Sequence, residues 1–131
     1  MRLLPAVALC LIASLSPCRA QSGDPYAMAA AMDSGNFMLP KCQQAVARVP
    51  FSGPPPDVYD GECMAVIKTL FFLGKGLPDP WKICGPNGPN YVTPLQGLRV
   101  VVKYMEAHPE KLHLNFNELA MSALAETWPC R

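Results

Sequence analysis

The side chains best suited to chemistry in this chain are the cysteines at 10, 18, 42, 63, 84 and 130 and the histidines at 108 and 113. No two cysteines stand in a C-x-x-C pair, so neither a zinc ribbon nor a thioredoxin-like redox centre has its ligands. The histidines bracket Pro109-Glu110-Lys111-Leu112. Five residues apart across a helix end is not a usual metal spacing, and His108 reads instead as a side chain favoured by the negative end of a helix. Nucleophile–base pairs are equally absent from the pattern. Ser22, Ser34, Ser52 and Ser122 lie outside any G-x-S-x-G elbow. The carboxylate pairs Glu106/Glu110 and Asp57/Asp60 read as solvated surface or helix caps rather than an acid–base couple. No glycine motif for phosphate is present. These residues predict a protein that is not an enzyme, holds no metal and needs no cofactor.

The remaining role for the cysteines is covalent, and the N-terminus gives the reason. Arg2 precedes an uncharged apolar run from Leu3 to Leu15, and Cys18-Arg19-Ala20 has the small residues of a cleavage site. Residues 1–20 therefore read as a secretory signal cleaved after Ala20, too short in its apolar part to span a bilayer. Nothing later in the sequence is long and apolar enough for a membrane helix. Residues 21–131 remain, one domain's worth with one core. Cys10 and Cys18 leave with the signal. Cys42, Cys63, Cys84 and Cys130 stay, an even number in an oxidising compartment. Arg2 and Arg19 also leave, so nine basic residues face ten acidic ones and the formal charge is −1. A near-neutral chain without an evident basic patch is a poor partner for nucleic acid or an anionic membrane.

The elements that must position these residues are helical. Prolines divide the chain at residues 52–57 and again between Gly74 and Pro89. The first segment runs from Asp24, a plausible N-cap before Pro25, to about residue 46. Ser34-Gly35-Asn36 should interrupt it and Pro40 should restart or kink it. The second runs from Asp60, read as its cap, to about Leu73, with Met64, Ile67, Leu70 and Phe71 on one face and Gly74 and Gly76 at its end. The third opens on the capping-box sequence Thr93-Pro94-Leu95-Gln96, carries Leu95, Leu98, Val102 and Met105, and stops between His108 and Pro109. The fourth starts at Asn115, with Glu118 as box partner, and turns Phe116, Leu119, Ala120, Ala123, Leu124 and Trp128 inward. No period-two alternation appears. The fold class is all-α, a compact bundle of about four helices stabilised by two disulfides.

Four cysteines allow three pairings. Short connections make neighbouring helices antiparallel. Cys42, late in the first segment, and Cys63, early in the second, then share one end of the bundle. Cys84 before the third helix and Cys130 after the fourth share the other. The topology favours Cys42–Cys63 and Cys84–Cys130.

Two proline-stiffened stretches are left as binding elements, 74–81 and 85–91. Rigid loops that present aromatics and a lysine lose little entropy on docking. Trp81 and Tyr91 can equally fold back over the core.

Several motifs resemble the Rap/Tai family of bacterial periplasmic immunity proteins associated with type VI secretion. They are Ser34-Gly35-Asn36 followed by Cys42, Cys63 opening a helix, Ile83-Cys84, Val92-Thr93-Pro94-Leu95-Gln96, the run from Val101 to His113, and Trp128-Pro129-Cys130. The resemblance covers Gly35 to Cys130 and departs at Gly61-Glu62, where an aromatic usually precedes the cysteine. It implies a helical periplasmic protein that blocks a secreted peptidoglycan amidase toxin by occluding its groove with a protruding loop, commonly as a homodimer. By analogy that role falls on Lys75, Leu77, Asp79 and Trp81, with Asn87 and Tyr91 in the second loop. The competing expectation is a disulfide-linked periplasmic stress or chaperone-type helical protein without a cognate toxin. A toxin gene next door favours the first; loss of a dimer at acid pH with exposure of apolar surface favours the second.

Overall fold

The computed structural model describes residues 24–48, 57–85 and 91–130. Residues 1–20, read as an export signal, most of the first proline-rich stretch and Asn87 lie outside these residues. Among the described residues the chain forms five α-helices: α1 (Pro25–Met32), α2 (Gly35–Ala47), α3 (Val58–Leu73), α4 (Pro94–Ala107) and α5 (Phe116–Thr127). One-turn 3-10 segments follow α3 at Gly74–Gly76 and α4 at Pro109–Lys111. No strand occurs among them, and the all-α expectation holds with one helix more than four.

The extra helix comes from the expected break in the first segment. Asp24 caps α1 by accepting from the Tyr26 N–H, with Pro25 in the first turn. The chain turns at Asp33, and Ser34 caps α2 by accepting from the Phe37 N–H at 3.4 Å. Gly35 is required here because the backbone runs against the α4–α5 connection. Its N–H donates to the Leu114 carbonyl at 2.9 Å, and the Asn36 N–H donates to that of Leu112 at 2.8 Å. A Cβ at residue 35 would meet the Leu119 side chain and sit 3.1 Å from the Leu112 carbonyl oxygen. Pro40, expected to restart or kink the helix, does not restart it: α2 begins at Gly35 and continues through Pro40 to Ala47. Only the Asn36 carbonyl loses its intrahelical donor, and both residues are exposed, so water replaces the bond.

The start of α3 also differs from expectation. Asp57, not Asp60, is the N-cap, and Asp60 sits at the third helical position as its capping-box partner. The Asp60 carboxylate accepts from the Asp57 N–H at 2.8 Å and pairs with the Arg48 guanidinium at the end of α2. Helix α4 starts as expected, with the Thr93 hydroxyl accepting from the Gln96 N–H at 3.2 Å. It ends at Ala107, where His108 donates from Nδ1 to the Tyr104 carbonyl at 2.8 Å. Asn115 caps α5.

Helices α2, α3, α4 and α5 pack around one core of Met38, Ile67, Leu98, Val101, Met105, Phe116, Leu119 and Leu124, all nearly inaccessible to solvent. The disulfides join Cys42 to Cys63 and Cys84 to Cys130, as the antiparallel argument requires. The first lies wholly within the core.

Candidate partner-binding surface

The chain leaving α3 is pinned at both ends. Gly74 carries a carbonyl that accepts from the Leu77 N–H at 3.3 Å and from the Ile83 N–H at 3.1 Å, which closes residues 74–83 into a loop. The closure depends on close approach: a Cβ on Gly74 would come within 2.7 Å of the Ile83 Cβ. Ile83 itself is buried. The next residue, Cys84, donates its N–H to the Trp128 carbonyl at 2.8 Å and is bonded to Cys130. Trp128 in turn packs its ring edge-on to Phe71 of α3, centroids 5.7 Å apart. Loop, α3 terminus and α5 terminus thus form one braced end of the bundle.

Within the loop the expected residues divide. Lys75 and Asp79 are exposed, with Asp79 3.5 Å from Lys82. Leu77 packs against the core and anchors the loop from inside. Trp81 is half-buried, and its N–H donates to the Pro78 carbonyl at 2.8 Å in a turn that contains the cis Asp79–Pro80 bond. Tyr91 is 66 % exposed just before α4. Trp81 is thus partly covered without packing against the core, and Tyr91 faces solvent.

Sequence periodicity missed two residues of this end. Phe72 is 86 % exposed and Leu73 48 %, although both close an apolar helix. The signal was present in the register: Ile67 and Leu70 face inward, so Phe72 falls on the opposite face. The near-neutral total also concealed a segregation of charge. Residues 63–105 hold Lys68, Lys75, Lys82, Arg99 and Lys103 against Asp79 alone. That stretch is +4, and the rest of residues 21–131 must be −5 to reach −1. Lys68, Lys75, Arg99 and Lys103 are exposed and make no ion pair among the described residues.

The histidines gather no ligands. His108 stacks on Tyr104, centroids 4.2 Å apart, and His113 donates from Nδ1 to the Glu110 carbonyl at 3.0 Å. Lys111 donates to the Tyr104 hydroxyl at 2.9 Å, and that bond, foremost among its surroundings, holds its ammonium above the usual lysine range. These contacts brace the α4–α5 turn. Among the described residues no group of three or more His, Cys, Asp or Glu side chains is placed to hold a metal, and no helix is long and apolar enough to cross a membrane.

Comparison with known proteins gives no match among curated proteins or solved structures. A family model described as Rap1a immunity proteins matches residues 34–130, from the cap of α2 to the cysteine that closes the second disulfide. That span contains the whole four-helix core, both disulfides and the braced loop, and the chain belongs to the Rap1a immunity protein family.

Proposed function

We infer that this chain is a periplasmic immunity protein that binds and inhibits a peptidoglycan amidase delivered by type VI secretion, so protecting the cell against self or sister-cell intoxication. The observation that carries the reading is the family match over residues 34–130, which supports a toxin-immunity role. The export signal at residues 1–20 supplies the compartment, and both disulfides suit it. Inhibition needs no catalytic group on this chain. A loop held at Gly74, Ile83 and Cys84 is ordered before it meets a partner, so little of its binding energy is lost in ordering. Exposed Lys75 and Asp79 and half-buried Trp81 are the groups this loop offers to a toxin groove. A homodimer is part of the same reading, by analogy with the family.

The test is inhibition. Oxidised protein comprising residues 21–131 is titrated against a panel of purified type VI peptidoglycan amidases acting on isolated peptidoglycan. Stoichiometric loss of one amidase's activity, weakened at least tenfold by Trp81→Ala, is the expected result. A folded, oxidised sample that inhibits none of them overturns the assignment and leaves a stress-protein role without a toxin.

A further inference from the structure

The two crosslinks differ in access and in what each one holds. Cys42 and Cys63 lie within α2 and α3 and are inaccessible to solvent, whereas Cys84 and Cys130 lie outside the helices and are half-buried. Exchange of a disulfide needs an attacking thiolate to reach a sulfur, so access sorts the two bonds. The consequence of breaking them differs as well. The loop that leaves α3 is held at its start by the Gly74 carbonyl, which accepts from Leu77 and Ile83, and from inside by Leu77. Its far end is held to the segment after α5 by the disulfide and by the Cys84 N–H on the Trp128 carbonyl. With the disulfide open, that hydrogen bond is left between two half-buried residues, where its net strength is modest. The Cys42–Cys63 bond between α2 and α3 is untouched. Both tryptophans of the chain, Trp81 and Trp128, lie at this end of the bundle.

We propose that Cys84–Cys130 is a thiol–disulfide exchange site, a redox latch that a protein dithiol opens to release the loop from the end of α5 while the helical core stays folded. A thiolate of the dithiol attacks one of the two sulfurs. A mixed disulfide forms as the Cys84–Cys130 bond breaks, and the other sulfur leaves as a thiolate. The dithiol's second thiolate then attacks its own sulfur in that mixed disulfide and expels the remaining cysteine. The partner ends as a disulfide, and its two electrons and two protons end on Cys84 and Cys130. The consequence for inhibition rests on the immunity reading. A loop no longer fixed at both ends must be ordered when it docks, so the opened form binds more weakly, and reoxidation restores it.

The experiment treats oxidised protein comprising residues 21–131 with reduced thioredoxin as the dithiol, quenches with iodoacetamide and maps the labelled cysteines. Cys84 and Cys130 are expected to label about tenfold faster than Cys42 and Cys63, or more. In the singly opened form far-UV circular dichroism should be kept, while tryptophan emission shifts to the red as the surroundings of Trp81 and Trp128 loosen. For an amidase that the oxidised protein blocks, the opened form should inhibit about tenfold more weakly, and oxidised glutathione should restore the inhibition. The double variant Cys84→Ser, Cys130→Ser should match the opened form and no longer respond to thioredoxin. If that variant does not fold, the opened wild type, made from folded protein, decides. Equal labelling rates at the two bonds overturn the latch. So does an opened bond that leaves emission and inhibition unchanged, and so does loss of the helical signal on opening, which makes the bond a stabiliser of the whole fold. If the oxidised protein inhibits no amidase, the immunity reading fails by itself, and labelling and emission still decide the latch.

Discussion

Asp60 is the buried charged side chain of the described residues, 7 % exposed, and it does two jobs with one carboxylate. It accepts the Asp57 N–H, which completes the capping box of α3, and it pairs with Arg48 at the end of α2. Removing it leaves an amide and a guanidinium without that acceptor in a partly buried place, so Asp60→Ala should cost about 1–3 kcal/mol. Asp60→Asn keeps an acceptor oxygen and should cost less. Urea unfolding at neutral pH checks both; a loss under about 0.5 kcal/mol for the alanine variant would show that the cap contributes little. The sequence showed an acidic residue at the head of this helix. Its exact station was not legible, because Asp57 and Asp60 are equally good caps by type and the partner that buries Asp60 comes from another helix.

At the scale of elements the two disulfides are not equivalent. Cys42–Cys63 joins α2 to α3 and is wholly buried. Cys84–Cys130 lies outside the helices and is half-buried at both sulfur-bearing residues, where it ties the braced loop to the end of α5. Thiol–disulfide exchange requires an attacking thiolate to reach a sulfur. Mild reduction should therefore open Cys84–Cys130 well before Cys42–Cys63. Alkylation at short times followed by peptide mapping checks the order; equal labelling of all four cysteines would refute it. Limited proteolysis should then cut within residues 74–85, since the tether beyond Ile83 is gone while the α2–α3 pair holds. Helix periodicity located α3, α4 and α5 because their apolar stripes are regular. It also separated Phe71, placed on the inner face, from Phe72, left off it; what the packing of α3 against its neighbours decided is that nothing among the described residues covers Phe72.

For the whole molecule the crosslinks are a large part of stability. They close spans of 21 and 46 residues, which in the chain-entropy model contribute about 3 and about 4 kcal/mol. A domain of this size is stable by about 5–15 kcal/mol in all. Complete reduction should consequently lower the urea midpoint by half or more, or abolish the cooperative transition; a fully reduced sample that unfolds within 10 % of the oxidised midpoint would sink this estimate. The requirement agrees with an exported protein, whose fold is completed where disulfides persist. From the sequence alone came the all-α class, the caps of α1, α4 and α5, the stops of α3 and α4, the cysteine pairing and the family resemblance. Each of these depends on local pattern or on the alternation of short-linked helices, and both are written in the order of residues. The tertiary structure decided the rest: that Gly35 threads against the α4–α5 turn, that Leu77 anchors the loop while Lys75 and Asp79 face solvent, and that Phe72 stands outside among unpaired lysines. These depend on which helix lies across from which, and contact between residues far apart in the chain leaves no periodic mark in the sequence.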